Sequence, residues 1–211
     1  MSASELIPVE RVNGRLPTLK FGLAWDTLGL DPKVAQQKTG FPPDVLAQTG
    51  ADSDQANVLL RPAGDQADLD AVVFWLKDGV PVDYISGQRG SALDGALGHS
   101  GDDKTGAGGG WDEVVLMQLN LLPPEINALA VMLKTAYKQP LQQVPNVRAS
   151  LFYAQGERPL LTLDRRFDHK ETSLVFAMLL RRGPDFVVRP VMHGYEGFDP
   201  LSMEPVLRRF L

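Results

Sequence analysis

The 211 residues are 44% hydrophobic and 22% charged, enough apolar material for one sizeable core, and no run approaches the roughly twenty apolar residues that a membrane-spanning helix needs. A net charge of −5 with a pI near 5.2 argues against tight sequence-independent binding to nucleic acid, which requires clustered Lys and Arg, so no nucleic-acid partner is expected. The absence of cysteine excludes disulfides, thiolate metal sites and thiol nucleophiles, and a start without a basic and apolar leader pattern leads us to expect a cytoplasmic protein.

Sixteen prolines and twenty glycines favour turns over long helices. The short apolar runs between them predict a mainly all-β fold: a single β-sandwich domain over residues 1–211, with two antiparallel-rich sheets and short helices in loops. Leu6 to Arg15 reads as an opening strand with a turn at Asn13-Gly14, and Leu16 to Trp25 as the next strand. Thr27 to Gln66 reads as an inserted loop segment, polar apart from two short helical signals at Asp31 to Lys38 and Pro43 to Gln48. The later strands are expected at Asp68 to Leu76, Val80 to Ser86, Glu113 to Asn120, Ile126 to Thr135, Val147 to Ala154, Leu160 to Asp164, Thr172 to Arg181 and Asp185 to Gly194. Asp78-Gly79 and Gly183-Pro-Asp185 mark hairpins. Leu174 to Leu180 is apolar throughout, which suits a buried helix as well as a strand; the flanking turn signals decide for strand. Ser202 to Phe210 reads as a terminal helix with Ser202 as its cap.

The chemistry concentrates in His99-Ser-Gly-Asp-Asp-Lys-Thr-Gly-Ala-Gly-Gly-Gly-Trp-Asp-Glu113, a stretch of acids and glycines with almost nothing to pack. Asp102, Asp103, Asp112 and Glu113 repel one another unless water or a cation lies between them, and a hard divalent cation takes the carboxylate and carbonyl oxygens such a loop offers. Asp68 and Asp70 open the run Ala71 to Leu76; on a strand both project from one face. Asp26, at the end of its strand, is a further ligand candidate if that strand neighbours the pair. The competing reading is a solvated acidic loop with exposed acids at a strand start.

Other templates fail. Asp102 and Glu113 have the end-to-end spacing of an EF-hand loop, but Lys104, Gly106 and Ala107 stand where acids and glycine are required. Gly98-His-Ser-Gly-Asp102 lacks the last glycine of a nucleophile elbow, and Asp103-Lys-Thr lacks the glycine of a phosphate loop. His99, His169 and His193 are too scattered for a zinc site and read as hydrogen-bonded structural residues. Trp25 and Trp75 read as core, and Trp111 as lying near the surface.

Five segments together resemble the TerD family of tellurium-resistance and stress-response proteins: Gly22-Leu-Ala-Trp-Asp26, Asp68-Leu-Asp70-Ala, His99 to Gly106 with Asp112-Glu113, Glu171-Thr-Ser-Leu-Val-Phe176, and His193-Gly-Tyr195. The resemblance runs from about Leu19 to the C-terminus. It implies a calcium-binding β-sandwich holding one or two ions. The implied ligands are Asp26, Asp68, Asp70, Asp102, Asp103, Asp112 and Glu113, with the carbonyls of Gly106 and Gly108. It also implies a non-enzymatic role in tellurite and chemical-stress resistance. Other stress-resistance proteins are the implied partners, at the inner membrane surface or in the cytoplasm.

The chain departs from the family pattern in its insertion and at three residues. About forty residues separate Asp26 from Asp68, where the family has a short connection. Trp111 replaces an acid, Thr135 stands where many members have aspartate, and Lys134 beside it adds positive charge. One of two metal sites is therefore expected to be weakened or lost. The rival function classes are a metal-dependent hydrolase using the acidic cluster and a protein-binding scaffold with decayed sites.

Overall fold

The computed structural model describes residues 5–26, 67–107, 109–136 and 139–211. The inserted segment, with both of its expected helices, lies outside the described residues. Turn residues divide the described chain into β1 (Ile7–Pro8), β2 (Thr18–Ala24), β3 (Leu69–Lys77), β4 (Val80–Ile85), β5 (Ser91–Ala92), β6 (Leu97–His99), β7 (Glu113–Gln118), β8 (Ala128–Thr135), β9 (Arg148–Tyr153), β10 (Pro159–Thr162), β11 (Ser173–Arg182) and β12 (Asp185–Tyr195). The β3–β4 hairpin closes at Asp78 and Gly79, both at positive φ (52° and 79°), the conformation of a two-residue turn that matches strand twist. The β11–β12 hairpin closes over Gly183 and Pro184, with Arg182 opposite Asp185.

Two six-stranded antiparallel sheets result, in the orders β1-β12-β11-β8-β3-β4 and β10-β9-β2-β7-β6-β5. Side chains from both sheets share one buried cluster, including Leu19, Phe21 and Leu23 of β2, Ala71, Val73 and Trp75 of β3, and Phe176 of β11. Phe21 meets Phe176 with ring centroids 5.3 Å apart. The second sheet keeps strand alternation on β7, with Glu113, Val115 and Met117 inward and the intervening residues half-buried. The first sheet is apolar on both faces. Its outer face carries Val72, Phe74, Met132 and Met178 beneath Met203 and Leu207 of a short helix, α1 (Met203–Leu207). Burial on both sides explains why Leu174 to Leu180 shows no alternation.

The observed strands match the sequence expectation with shifts at their ends, and four elements differ. The opening strand is confined to Ile7–Pro8, with Val12 and Arg15 forming an isolated bridge around the Asn13-Gly14 turn. β5 and β6 were not expected, since Ser91 to Gly98 is short and glycine-rich without a β-branched run. The terminal helix spans only Met203–Leu207, flanked by 3₁₀ turns at Pro200–Ser202 and Arg208–Phe210. Ser202 makes no side-chain cap; the carboxylate of Asp199 instead accepts the Leu201 N–H, because the first turn begins earlier than the α-helix.

Phe176 is fully buried between the sheets. Phe176→Ala is expected to cost about 3–5 kcal/mol in denaturant titration, the range for an aromatic removed from a packed core. Val82→Ala, at a 57% exposed position, should change stability by no more than about 0.5 kcal/mol.

Candidate metal centre

The site begins with an edge that its own sheet does not finish. β4 pairs with β3 only as far as Val73, opposite Ile85, so Ala71 has no strand partner on that side. Its N–H is taken by the Glu113 Oε2 at 2.7 Å and its carbonyl by His99 Nε2 at 3.1 Å. Both side chains come from strands of the other sheet, β7 and β6. Gly101 N–H donates to His99 Nδ1 at 3.1 Å, which leaves Nε2 as the protonated nitrogen and fixes the tautomer. That nitrogen also lies 3.5 Å from Glu113 Oε2. Glu113 occupies the inward register of β7 and is fully buried, which pushes its carboxyl above the ordinary range despite the hydrogen bonds from His99 and Ala71 that favour the charged form.

The acidic loop is ordered by its own short-range bonds. Asp103 Oδ1 accepts from Thr105 N–H at 2.8 Å, from Thr105 Oγ1 at 2.9 Å and from Gly106 N–H at 3.0 Å, while Asp103 N–H donates to Glu113 Oε1 at 3.2 Å. Gly106 has φ 58°, and a Cβ there would stand 2.5 Å from Trp25 Nε1, so the loop backbone rests directly on that indole. Gly87 similarly admits Asp102, whose Cβ would lie 2.7 Å from a Cβ added at position 87. Trp111 packs over Gly22, where an added Cβ would meet Trp111 Cδ2 at 2.4 Å, and stacks on Phe152 at 5.6 Å.

Carboxylate oxygens of Asp70, Asp102 and Glu113 converge to within 4.8 Å of one another. Asp68 stands beside them, 5% exposed, and its Oδ1 is buried without a hydrogen-bond partner. Burial, reinforced by Asp70, Asp102 and Glu113, raises the Asp68 carboxyl from an ordinary 3.8 to about 6; Lys134 opposes the rise. Two ammonium groups touch the cluster. Lys134 Nζ donates to Asp70 Oδ2, with side chains only 20% and 14% exposed, whereas Lys104 Nζ lies 3.9 Å from Asp102 Oδ2 on a side chain 64% exposed.

The residues expected as ligands thus fall into two groups. Asp70, Asp102 and Glu113 are brought together with Asp68 adjoining. Asp103 spends one oxygen on the loop turn; Asp112 Oδ2 accepts the Trp25 N–H at 2.8 Å. Asp26 is buried and accepts from Asn146 Nδ2 at 2.5 Å; β2 lies in the sheet opposite β3, so the strand adjacency that would have brought Asp26 to the pair is not formed. Gly106 is described and Gly108 lies outside the described residues. Trp111, expected near the surface, is half-buried, packed against Gly22 and Phe152. His99 is hydrogen-bonded through both ring nitrogens, as expected of a structural histidine; that it also lies against the Glu113 carboxylate was not read from the sequence, where its place in the loop motif was the available signal.

The TerD domain family matches residues 7–202. The chain belongs to the TerD family. It is 29% identical over 143 residues to "Tellurium resistance protein TerD" of Serratia marcescens and, equally, to "General stress protein 16U" of Bacillus subtilis, each alignment covering 64% of this chain and 74% of the relative. The fold is similar to the crystal structure of a TerD homologue from Streptomyces coelicolor A3(2), at TM-score 0.62 and 20% identity, covering 89% of this chain and 95% of that one.

The raised Asp68 carboxyl gives a signed expectation for the metal-free protein. Between pH 4 and 6 the folded state binds the Asp68 proton more tightly than the unfolded chain, so this residue's contribution to stability falls as pH rises through that window. In chelator at pH 8, Asp68→Asn should therefore melt above the parent, and the gap should close as pH falls through 6. A gap that stays constant from pH 8 to 4, followed by differential scanning calorimetry, would contradict the buried, charge-crowded placement of Asp68.

Proposed function

We propose that this TerD-family protein binds calcium at Asp70, Asp102, Glu113 and Asp68, and that it acts in tellurite and chemical-stress resistance without being an enzyme. The observation that carries the reading is the convergence of three carboxylates within 4.8 Å beside a buried Asp68 oxygen that has no hydrogen-bond partner. Unneutralised, that arrangement costs stability; a cation offsets the repulsion and satisfies the orphaned oxygen. The donors are all hard oxygens, which suit calcium or magnesium rather than softer transition metals. Both ring nitrogens of His99 are occupied by backbone groups, which removes the nearest nitrogen donor. Calcium is favoured over magnesium because an irregular loop tolerates variable coordination better than a near-ideal octahedron. Bound calcium would supply charge neutralisation and loop order, and resistance would follow through sensing or assembly.

The similarity to relatives named for tellurium resistance and general stress supports the physiological half of this reading. The proposed setting is the cytoplasm or the inner membrane surface, with other stress-resistance proteins as partners; among the described residues no helix is long and apolar enough to cross a membrane.

Calcium at a hundredfold above its dissociation constant adds about 2.7 kcal/mol of stability per site, and for a domain of this size each kcal/mol raises the melting point by roughly 2 to 4 °C. Matching melting curves in saturating calcium and in chelator would sink the proposal. Calorimetric titration of Asp102→Asn should show a large loss of affinity, whereas Asp78→Asn, which removes the same charge at the β3–β4 turn, should bind as the parent does. The contrast should persist in high salt, since screening weakens distant charges over about 8 to 10 Å but not an inner-sphere ligand.

A further inference from the structure

We propose that Lys134 is a tethered counter-cation of the acidic cluster, which competes with the free ion for Asp70 and so sets the protein's affinity for it. This rests on the calcium reading above. Asp70 of β3 and Lys134 of β8 are directly opposite in the antiparallel register, which puts both side chains on the same sheet face. The ammonium donates to Asp70 Oδ2, one of the oxygens available to the cluster, and its field also favours the charged form of Asp68. A divalent ion that takes Asp70 must displace this hydrogen bond or share its oxygen with a like charge.

The lysine is not a loosely held surface group. Its side chain is 20% exposed, and its Nζ lies 5.4 Å from the centroid of the Phe198 ring, whose own ring packs 6.1 Å from Phe74. The cation is thus held from two sides, by a carboxylate and by an aromatic face. On the far side of Lys134, its other cross-strand partner Ser173 turns its hydroxyl to the carbonyls of Gly197 and Tyr195 and offers no alternative carboxylate. Adjacent Thr135 directs its hydroxyl to the Thr172 carbonyl at 3.3 Å. The positive charge of Lys134 therefore remains next to the site even when its bond to Asp70 is broken. Lys104 provides the internal contrast: it also touches a cluster carboxylate, but at 3.9 Å and 64% exposed, where solvent screens it.

The test is isothermal titration of calcium chloride into the decalcified full chain and its variants, with far-UV circular dichroism confirming the fold. Lys134→Met keeps the length of the stem and removes the charge. It should bind calcium about tenfold or more tightly than the parent, the scale on which one charge at 4–6 Å shifts a neighbouring equilibrium. Lys134→Arg should stay within about threefold of the parent, and Lys104→Met within about twofold, because a retained or solvent-screened charge leaves the competition largely unchanged. In chelator, Lys134→Met should melt below the parent, since the carboxylates lose their partner; Lys134→Gln serves for the same readings if the methionine variant does not fold. Equal or weaker binding by the neutral variants overturns the inference, and so does an equal gain in Lys134→Arg. If neither parent nor neutral variants bind calcium, the calcium reading itself fails and the competition with it.

Discussion

The open edge of β3 is the constraint on which the site depends. β4 turns away at Val73, and a buried peptide group left without partners costs about 1–3 kcal/mol, so the Ala71 N–H and carbonyl must be met from elsewhere. Glu113 and His99 meet them across the gap between sheets. The consequence is that a carboxylate enters the inward register of β7, two residues before the apolar Val115 and four before Met117. A fold that needed only packing would place an apolar side chain there. The carboxylate instead links the two sheets at one end of the sandwich and lends its other oxygen to Asp103 N–H, from which the acidic loop departs.

Once Glu113 is fixed, its neighbours compound the charge. Asp70 and Asp68 approach from β3 and its leading residue, Asp102 from the loop seated against Gly87, and burial makes the negative charges of Asp68 and Glu113 dearer than they would be in water. The local pairing of Asp103 with Thr105 and Gly106 shows that the loop has its own hydrogen-bonded turn and is not held open by repulsion alone. Stability is given up at the cluster and recovered in the two apolar layers below it, the pattern expected where local rules are broken for function.

The strands were readable where turn dipeptides bracket apolar runs, as at Asp78-Gly79 and Gly183-Pro184, because positive φ and strand twist are local properties. β5 and β6 were not readable, since their pairing is imposed by the edge of β7 rather than by Ser91-Ala92 or Leu97-Gly98 themselves. The helix cap at Asp199 was missed for a similar reason: a 3₁₀ turn preceding the α-helix moves the cap upstream of the pattern. At the site, the acidic pair and the glycine loop were legible as a collection of candidate ligands, but not which acids converge. Asp26 is drawn off to Asn146 and Asp112 to the Trp25 backbone, partners remote in sequence that no spacing rule reveals. The Lys134–Asp70 contact was likewise foreshadowed only as excess positive charge, because cross-strand register is a property of the sheet.

Two of the three tryptophans touch the acidic loop. Trp25 supports the Gly106 backbone and sends its indole N–H to the Ala67 carbonyl at 2.8 Å, and Trp111, itself part of the loop, lies over Gly22 against Phe152. Trp75 belongs to the core beneath β3. A rearrangement of the loop therefore changes the ring neighbours of two of the three emitters directly. The protein carries its own optical gauge of loop order, in place without a label or an added cysteine.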